Sequence, residues 1–556
     1  MTRAALVLLG AASCAAAQAP NLLSILAVEL QRNFRILSEK GDPQAYFMAY
    51  SVVEQETGRA AASMGALLQS GVQRSRTLDV SVRVGSHKLD NYRRVRGERP
   101  QFAQPIAISL DDAPAPIVQR LWWETDRAYR AASERFIRIK TDEQLKAAED
   151  PSDDFSVEEA VRYSEPPGRL KFSLSDWESK VRKISRLFAR HAHVTQSQVS
   201  VVAERQTKYF VNSEGTRVQH GRGFARITLT AGAVAPVDGM SFSLFETFDA
   251  EDVSRLPSDA VIEKAVEKLA ADLDRLIQAP VVDPYVGPAI LSGRAAGVFF
   301  HEIFGHRIEG HRQKDEAEGQ TFTKSVGQKI LPEFLSVIFD PTVRNAEGAD
   351  LNGFYRYDDE GVPARRVPVV EDGVLKTFLM SRSPIQGFPK SNGHGRKAPG
   401  SEPVGRQSNL FVESKRQMPF SELRTMLIEE VRRQGKPYGL YFDTVTGGFT
   451  TTGRRGVQAF TVIPLIVYRV YPDGRPDELV RGVDIVGTPL ASFEKILATS
   501  DRREVFNGVC GAESGLVPVS AVAPAILVGS IEVQRKPRTQ DRPPILPRPV
   551  VPEEAP

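Results

Sequence analysis

The residues best placed to do chemistry form one short string, His301-Glu-Ile-Phe-Gly-His306. Imidazole is a good zinc ligand, and Glu302 supplies a carboxylate that can take a proton from a zinc-bound water. The chain has only eight histidines, and a third, His311, follows in the same segment. The string therefore predicts a hydrolytic zinc site, although a lone match of this length also arises by chance.

The spacing of the two histidines constrains the local backbone. On a regular helix, residues five apart point about 140° away from each other, so one ion cannot accept both rings. The helix must therefore widen into a π-like turn or end between them. Gly305, directly before His306, is the residue most able to permit this change.

Cys510 is the candidate third ligand. It lies in the string Asn507-Gly-Val-Cys-Gly-Ala-Glu-Ser-Gly515, and the only other cysteine, Cys14, falls in a segment that we expect to be removed. One alternative is a small buried apolar residue. The other is a thiolate ligand, and two histidines with one cysteine leave a fourth position for water, as in catalytic zinc sites.

Several strings, in this order along the chain, resemble motifs of the TldD/PmbA metallopeptidases. Besides the metal string and Val509-Cys-Gly511, they are Asn212-Ser-Glu-Gly215, Tyr357-Asp-Asp-Glu-Gly-Val362, Asp372-Gly-Val-Leu375, Ser391-Asn-Gly-His-Gly-Arg396 and Arg406-Gln-Ser-Asn409. The likeness covers about residues 195–533 well and 20–85 loosely.

The resemblance implies a zinc peptidase that cleaves peptides or unfolded segments with a Glu-activated, zinc-bound water. By resemblance, His301, His306 and Cys510 hold one Zn²⁺ per chain, and Glu302 is the catalytic base. One branch of the family lacks the metal string and acts as a partner subunit; this chain has the string and is similar to the TldD-like branch. The family implies a homodimer, or a heterodimer with a PmbA-like subunit.

The chain departs from the family pattern in three places. After Cys510 it continues Gly-Ala-Glu-Ser-Gly where a Gly-Gln pair is usual. A long extra stretch lies between about 86 and 195. The chain also begins with a segment typical of export, whereas familiar members are cytoplasmic.

Two other functions remain open at this point. Cys510 could be a metal-free nucleophile activated by a histidine. Alternatively, the chain is a silent binding subunit of an envelope complex with structural zinc, and Glu309 or His311 would then complete four-coordination. Whether Glu309, His311 or His394 assists the site is also open.

The N-terminus predicts export. Arg3 precedes a short apolar run, and Ala15-Ala-Ala17 has the pattern of a signal-peptidase site, so cleavage before Gln18 and a periplasmic or extracellular location are expected. Lipidation at Cys14 is the less favoured alternative. No other stretch is apolar enough for stable membrane insertion. A net charge of +3 on 556 residues argues against nucleic acid as a partner.

The remaining patterns predict an α+β fold in two domains. After a signal peptide at 1–17, residues 18–285 are expected to form helices on an antiparallel sheet, with an insertion at about 86–195. Strand-like runs at 45–55, 59–72 and 77–85 predict a three-stranded meander. Residues 286–535 are expected to form a β-rich, barrel-like domain, and the Pro-rich tail at 536–556 to be disordered.

Overall fold

A computed structural model gives the structure and describes residues 21–94, 100–143, 151–454, 459–487, 493–536 and 546. The predicted signal peptide at 1–17, with Cys14, lies outside these residues. So does the predicted disordered tail, apart from Lys536 and Leu546. In the described part of the chain, no helix combines the length and apolar character needed to cross a bilayer.

The described residues of the N-terminal half form four α-helices and one large sheet. Its elements are α1 (Leu22–Lys40), β1 (Ala45–Ser63), β2 (Ala66–Val84), β3 (Ile106–Ala107), α2 (Pro114–Glu143), β4 (Arg162–Ser164), α3 (Leu174–Arg186), β5 (Gln196–Asn212), β6 (Arg217–Val234), β7 (Ser241–Ala250) and α4 (Asp259–Gln278). The sheet order is β3-β2-β1-β5-β6-β4, with β7 also paired to β6. All described pairs are antiparallel except β4 with β6.

The predicted meander at 45–85 is wrong in strand number, because the structure has two long strands there. β1 and β2 pair along their whole length and turn at Met64 and Gly65. Both turn residues have positive φ, 49° and 89°. Such a turn matches the twist of the strands it joins, so a two-residue loop closes the hairpin.

The two faces of this sheet differ in character. One face is apolar and packs against α1 and α2 at one end and α3 and α4 at the other. The opposite face carries polar side chains, among them Lys208 and His220, which are direct cross-strand partners on β5 and β6. This polar face looks toward the C-terminal half.

The C-terminal half is mostly β-structure. Its elements are β8 (Tyr285–Leu291), α5 (Gly293–Ile303), α6 (His311–Lys314), β9 (Leu335–Phe339), β10 (Asn345–Ala346), β11 (Ala349–Asp350), β12 (Val367–Glu371), β13 (Val374–Leu375), β14 (Gly395–Arg396), β15 (Val404–Gly405), β16 (Asn409–Ser414), β17 (Gln417–Met418), α7 (Phe420–Arg433), β18 (Gly439–Thr450), β19 (Phe460–Val470), β20 (Glu478–Val480), β21 (Val483–Gly487), β22 (Ile496–Ala512) and β23 (Gly515–Arg535).

Five strands of this half close into a barrel. β23, β21, β19, β18 and β8 pair in that order, and β8 pairs back to β23. Beyond the barrel, β16, β9, β12 and β13 extend the sheet from β23. The predicted fold class, helices on an antiparallel sheet followed by a barrel-like domain, is therefore confirmed. The exact domain limits and the extent of the insertion stay predictions.

Helix α5 is almost entirely buried within the C-terminal half, against two barrel strands and the neighbouring β22. It packs against β18, β22 and β23, and Phe299, Phe300 and Ile303 are each 0% exposed. A helix that is apolar on nearly every side belongs in a core. The core thus fixes the position of the histidine string at the end of this helix.

Candidate metal centre

Helix α5 ends between the two histidines. Its N-cap is Ser292, whose side chain accepts a hydrogen bond from Ala295 N, and its last helical residue is Ile303. A 3₁₀ turn then runs from Gly305 to Arg307. The prediction that the helix must end or widen here is confirmed, and the two rings lie with centroids 5.0 Å apart at 84°.

Close packing explains the glycine before the second histidine. A Cβ on Gly305 would lie 1.9 Å from Oε1 of Gln407, a fully buried side chain. Gln407 in turn donates from Nε2 to the backbone oxygen of His301, at 3.3 Å. Only glycine lets the 3₁₀ turn approach this side chain, which also holds the end of the helix.

Cys510 reaches the histidines from β22. Its Sγ lies 3.4 Å from Nε2 of His306, and the potential ligand atoms of His301, His306 and Cys510 all lie within 4.8 Å of one another. Zn–N and Zn–S bonds of ordinary length at a tetrahedral angle separate nitrogen and sulfur by about 3.6 Å. The donor set and spacing therefore fit zinc.

Electrostatics favour the thiolate form of Cys510. Burial raises the pKa of this thiol, but the positive charges of His306 and His301 outweigh burial and hold its pKa well below the ordinary value. Burial likewise lowers the pKa of His306, yet Cys510 and Glu309 raise that pKa well above its usual value. A thiolate is the form in which cysteine binds metal.

Glu302 lies beside the three ligand candidates with a free carboxylate. The side chain is 7% exposed and lies against Gly448 of β18, where an added Cβ would come within 2.6 Å of Glu302 Cγ. Burial raises the pKa of Glu302, and the charges of His301 and His306 oppose this shift. Among the described residues, no hydrogen bond occupies its carboxylate.

Two further residues hold the candidate ligands from behind. Glu309 Oε2 lies 3.4 Å from Nδ1 of His306, on the side of the ring away from Cys510. Arg406 donates from Nη2 to Cys510 Sγ at 3.2 Å and to Cys510 O at 2.9 Å, and its Nε lies 3.4 Å from Glu309. A carboxylate behind a metal-binding imidazole fixes its tautomer and orientation.

A second group of potential ligands adjoins the first. Glu309, His311 and Glu513 also offer three atoms within 4.8 Å. Here, however, Arg312 donates to Glu309 and Glu513, each at 2.8 Å, and to Glu318, also at 2.8 Å. Nε2 of His311 contacts Glu513. We call this group the arginine cluster.

His394 is buried apart from both groups. It is 0% exposed, and its ring nitrogens face Asn392 O and Ser408 Oγ, each at 3.2 Å. Burial lowers the pKa of His394 to about 3. The histidine is therefore neutral, and it lies outside the two groups of potential metal ligands.

Sequence reasoning assigned no role to Arg406, Arg312 or Glu513. Arg406 begins one of the strings shared with the family, so a signal existed for it. Glu513 lies in the stretch after Cys510 where the sequence differs from the usual family pattern, and it pairs with Arg312. No local pattern links these residues, because about two hundred positions separate the two members of that pair.

Family models match most of the C-terminal half of the chain and about half of the N-terminal half. The model described as the PmbA/TldA metallopeptidase central domain matches residues 143–273. The model described as the PmbA/TldA metallopeptidase C-terminal domain matches residues 285–535, which include all four residues of the candidate centre. Together the two matches span more than half of the chain.

Three relatives carry metalloprotease names. "Metalloprotease" from Archaeoglobus fulgidus is 30% identical over 270 residues, 48% of this chain and 58% of the relative. "Metalloprotease" from Methanothermobacter thermautotrophicus is 30% identical over 350 residues, 60% of this chain and 69% of the relative. "Zinc metalloprotease TldD homolog" from Saccharolobus solfataricus is 26% identical over 248 residues, which are 44% of this chain and 51% of the relative. The chain thus spans about half to two thirds of these relatives.

Solved structures share the fold at low sequence identity. One from Thermotoga maritima aligns with a TM-score of 0.60 and 17% identity over 91% of this chain and 99% of that one. TldE from Thermococcus kodakarensis aligns with a TM-score of 0.59 and 16% identity, over 90% and 100%. The likeness covers both halves, so the arrangement of sheet and barrel is common to these proteins.

Proposed function

Because the chain belongs to the PmbA/TldD family of metallopeptidases, we propose that it is a zinc-dependent peptidase acting on peptides or unfolded segments. The main support is that two imidazoles and one thiol offer three ligand atoms within 4.8 Å of one another, beside the carboxylate of Glu302. The distance between Cys510 Sγ and His306 Nε2, 3.4 Å, is close to that of a tetrahedral zinc site. In this proposal His301, His306 and Cys510 bind one Zn²⁺ per chain, and Glu302 is the general base.

Zinc, when bound, polarises the scissile carbonyl and lowers the pKa of a water molecule to about 7. The chain then has to supply a proton acceptor. Glu302 is suited to that role because burial raises the pKa of its carboxyl, which strengthens it as a base. The same carboxyl can pass the proton to the departing amine.

Arg307 holds Glu302 in place. It donates from Nη1 to the backbone oxygens of Glu302 and Ile303, at 3.0 and 3.1 Å, and to Thr450 Oγ1 at 2.8 Å. Backbone oxygens at a helix end otherwise lack partners. This contact ties the end of α5 to β18, whose Gly448 lies against the Glu302 side chain.

The positions of Glu309 and His311 favour a catalytic zinc site, in which the fourth coordination position is open, and not a closed structural site. Glu309 approaches Nδ1 of His306, whereas the nitrogen facing Cys510 is Nε2. His311 is engaged by Glu513. Neither residue is therefore arranged to complete a closed four-coordinate site, which a purely structural zinc would need. This argues against the binding-subunit alternative.

One observation favours a metal-free cysteine hydrolase as the second candidate. The 3.4 Å contact between Cys510 Sγ and His306 Nε2, with the thiol pKa lowered, is also the arrangement of an activated thiolate nucleophile. The two candidates respond oppositely to reagents. A zinc enzyme loses activity to a chelator and regains it with added zinc, whereas a cysteine hydrolase resists the chelator.

The direct test is metal analysis together with hydrolysis of an unfolded protein and a broad peptide library by the full mature chain. We expect one zinc per chain and chelator-sensitive cleavage. Zinc without cleavage across the library would support the binding-subunit alternative. Chelator-resistant cleavage that a thiol alkylator abolishes would support the cysteine hydrolase.

Assembly and location are further parts of the proposal. The fold shared with TldE supports pairing with a second family member, either as a homodimer or with a PmbA-like subunit. We propose export after cleavage before Gln18, with lipidation at Cys14 as the alternative. N-terminal sequencing of the protein from a cell envelope fraction would detect an intact Met1 or a lipid-modified Cys14, and either would contradict cleavage before Gln18.

A further inference from the structure

A cavity of about 90 Å³ lies between the polar face of the N-terminal sheet and the C-terminal half. Its floor includes Lys208 on β5 and His220 and Arg222 on β6. Its roof includes Arg396 and Val517. None of these lining residues belongs to the candidate metal centre.

The cavity adjoins the strand pair that carries Cys510. Val517 of β23 is the direct cross-strand partner of Cys510 and packs with it in one small apolar cluster. Arg396 donates from Nη1 to the backbone oxygen of Pro518 at 2.8 Å and to that of Gln407, the residue that holds the end of α5. A group bound in the cavity would therefore lie beside the metal centre.

The charges that line the cavity are unbalanced. Four cations, Lys208, Arg222, Arg396 and Lys397, face three carboxylates, Asp79, Glu204 and Asp359. Lys397 pairs with Asp79 at 2.6 Å, and Lys208 pairs with Asp359. Within the described ranges, neither arginine has a carboxylate at ion-pair distance.

Arg396 is buried, Arg222 is partly buried, and their positive charges repel each other. Burial, and then the charge of Arg396, lower the pKa of Arg222 to about 10, and Glu204 offsets this only in part. Arg222 is bonded by Nη2 to Asn352 Oδ1, an uncharged acceptor. Removing a cation partly from water without a carboxylate partner costs free energy. The position of Arg222 therefore points to an anionic partner that the chain itself does not provide.

His220 adds a neutral polar group. The ring is 5% exposed and lines the cavity, and no hydrogen bond engages it among the residues that the structure describes. Burial, and then the charge of Lys208, lower its pKa to about 4, so the ring is neutral at pH 7. A neutral imidazole can donate one hydrogen bond to an anion.

We propose that this cavity binds a carboxylate group of the peptide substrate, recognised by Arg222 and Arg396. A guanidinium fork matches the planar carboxylate and bonds it through two N–H groups. The inference rests on the proposed peptidase function. The carboxylate belongs either to the C-terminus of the peptide or to an acidic side chain, and the two sources require different peptides to detect.

The test compares matched peptides on the zinc-loaded full chain. One pair has a free or an amidated C-terminus, and the other has an internal Glu or Gln. We expect the wild-type chain to prefer the carboxylate in one pair, mainly through a lower KM. Arg222→Gln should reduce that preference about 10- to 100-fold, the usual effect of losing a hydrogen bond to a charged group. Equal KM values within both pairs would overturn the proposal.

Control variants separate recognition from folding. Arg59→Gln alters an exposed arginine on β1 and should keep the preference. Arg222→Lys keeps the charge without the fork, and we expect an intermediate preference. Arg222→Gln should unfold at the same temperature as the wild type or higher, because it removes a partly buried charge that has no carboxylate partner. A lower unfolding temperature with unchanged preference would make Arg222 structural and overturn the proposal.

Binding without catalysis separates this inference from the proposed function. Calorimetric titration of the same peptides into the metal-free chain should show binding of the preferred carboxylate peptide that Arg222→Gln weakens. If that binding occurs but the zinc-loaded chain hydrolyses nothing, the peptidase proposal fails and the carboxylate site stands. If hydrolysis occurs and neither peptide pair is distinguished, the carboxylate site fails and the peptidase proposal stands.

Discussion

The candidate metal centre and the arginine cluster both take residues from the segment 301–311. They contain similar residue types but differ in charge. The metal centre offers His301, His306 and Cys510, and the arginine cluster offers Glu309, His311 and Glu513, each as three atoms within 4.8 Å. A search for ligand types alone would find both equally suited to a cation.

The difference lies in the fixed cations that already bond each set of potential ligands. In the arginine cluster, the guanidinium of Arg312 bonds both carboxylates, so a fixed cation already balances two of the three potential ligands. In the candidate metal centre, Arg406 donates to Cys510 alone among the three potential ligands. Suitability for zinc thus depends on the fixed cations that compete for the donors as well as on the donors themselves.

Glu309 also connects the two clusters, because its carboxylate contacts residues of both. Its Oε2 contacts His306 and Arg312, while Oε1 faces Arg406. Burial raises the pKa of Glu309, but His306 and Arg312 outweigh this and hold the pKa at about 2. The ionised carboxylate therefore links the orientation of a candidate ligand to the ion network beside it.

Replacing one residue from each cluster should give the largest contrast. Cys510→Ser should weaken zinc binding by more than about 100-fold and abolish hydrolysis, because a neutral hydroxyl is a poor zinc ligand. Glu513→Gln should keep zinc and instead lower the free energy of unfolding by about 1–3 kcal/mol, because it leaves Arg312 with one charge partner fewer. Metal content and chemical unfolding measure both effects.

The opposite pattern would contradict the distinction between the clusters. Zinc retained by Cys510→Ser but lost from Glu513→Gln would assign the metal to the arginine cluster. In that case, Arg312 would have to leave its carboxylates when zinc binds.

Glu302→Gln should separate metal binding from catalysis inside the metal centre. The amide has nearly the same shape but cannot accept a proton at neutral pH, so we expect one zinc per chain and a rate lower by about 10²–10⁴. Glu429→Gln, a change on the exposed side of α7, is the matched control and should keep full activity. Loss of zinc with Glu302→Gln would instead identify the carboxylate as a ligand.

Glu309→Gln should have a smaller effect that reveals the link between the clusters. A neutral amide orients the His306 ring less strongly, and losing such a partner usually weakens metal affinity by about 10- to 100-fold. Competition with a chromogenic zinc chelator measures this directly. Wild-type affinity in the variant would show that Glu309 serves the arginine cluster alone.

Two buried histidines that belong to neither cluster, His394 and His220, should make the fold less stable at acidic pH. His394 and His220 have folded pKa values lowered to about 3 and about 4 by burial, against about 6.5 in an unfolded chain. Their contribution to stability is present above pH 6.5 and is lost as the pH falls toward the folded values, because the unfolded state binds the extra protons.

His394→Gln should reduce this acid sensitivity. Between about pH 4.5 and 6, each such histidine contributes a slope of about 1.4 kcal/mol per pH unit to the free energy of unfolding. In the variant, the pH dependence of the free energy of unfolding should be smaller by the contribution of one histidine. If His220 is also replaced, it should be smaller by the contribution of two. Urea unfolding at several pH values gives the slopes, and an unchanged slope would mean that His394 is protonated in the fold.

The meeting of His301, His306 and Cys510 could be predicted from residue types, while their role as zinc ligands stays a proposal. The chain has few histidines, only one cysteine outside the predicted signal peptide, and a histidine spacing that is incompatible with a regular helix. The strings that resemble the family indicated the same residues. The helix end at Ile303 follows directly from the five-residue spacing.

What surrounds the centre was not predictable from local patterns. Arg406 meets Cys510 across 104 positions, and the positions of Arg222 and Arg396 in one cavity depend on how the sheet faces the barrel. The hairpin turn at Met64 and Gly65 was missed for another reason. Met is not a usual residue for positive φ, so only the pairing of two long strands shows that it adopts one there.

A crystal structure of the zinc-loaded chain, with anomalous scattering recorded at the zinc edge, would test most directly whether His301, His306 and Cys510 bind zinc. We expect one peak per chain, about 2.0–2.4 Å from one nitrogen of each of His301 and His306 and from Cys510 Sγ, with a water or substrate atom as the fourth ligand. No peak is expected between Glu309, His311 and Glu513. A peak in the arginine cluster, or a zinc ion with a fourth protein ligand, would contradict the proposed catalytic site.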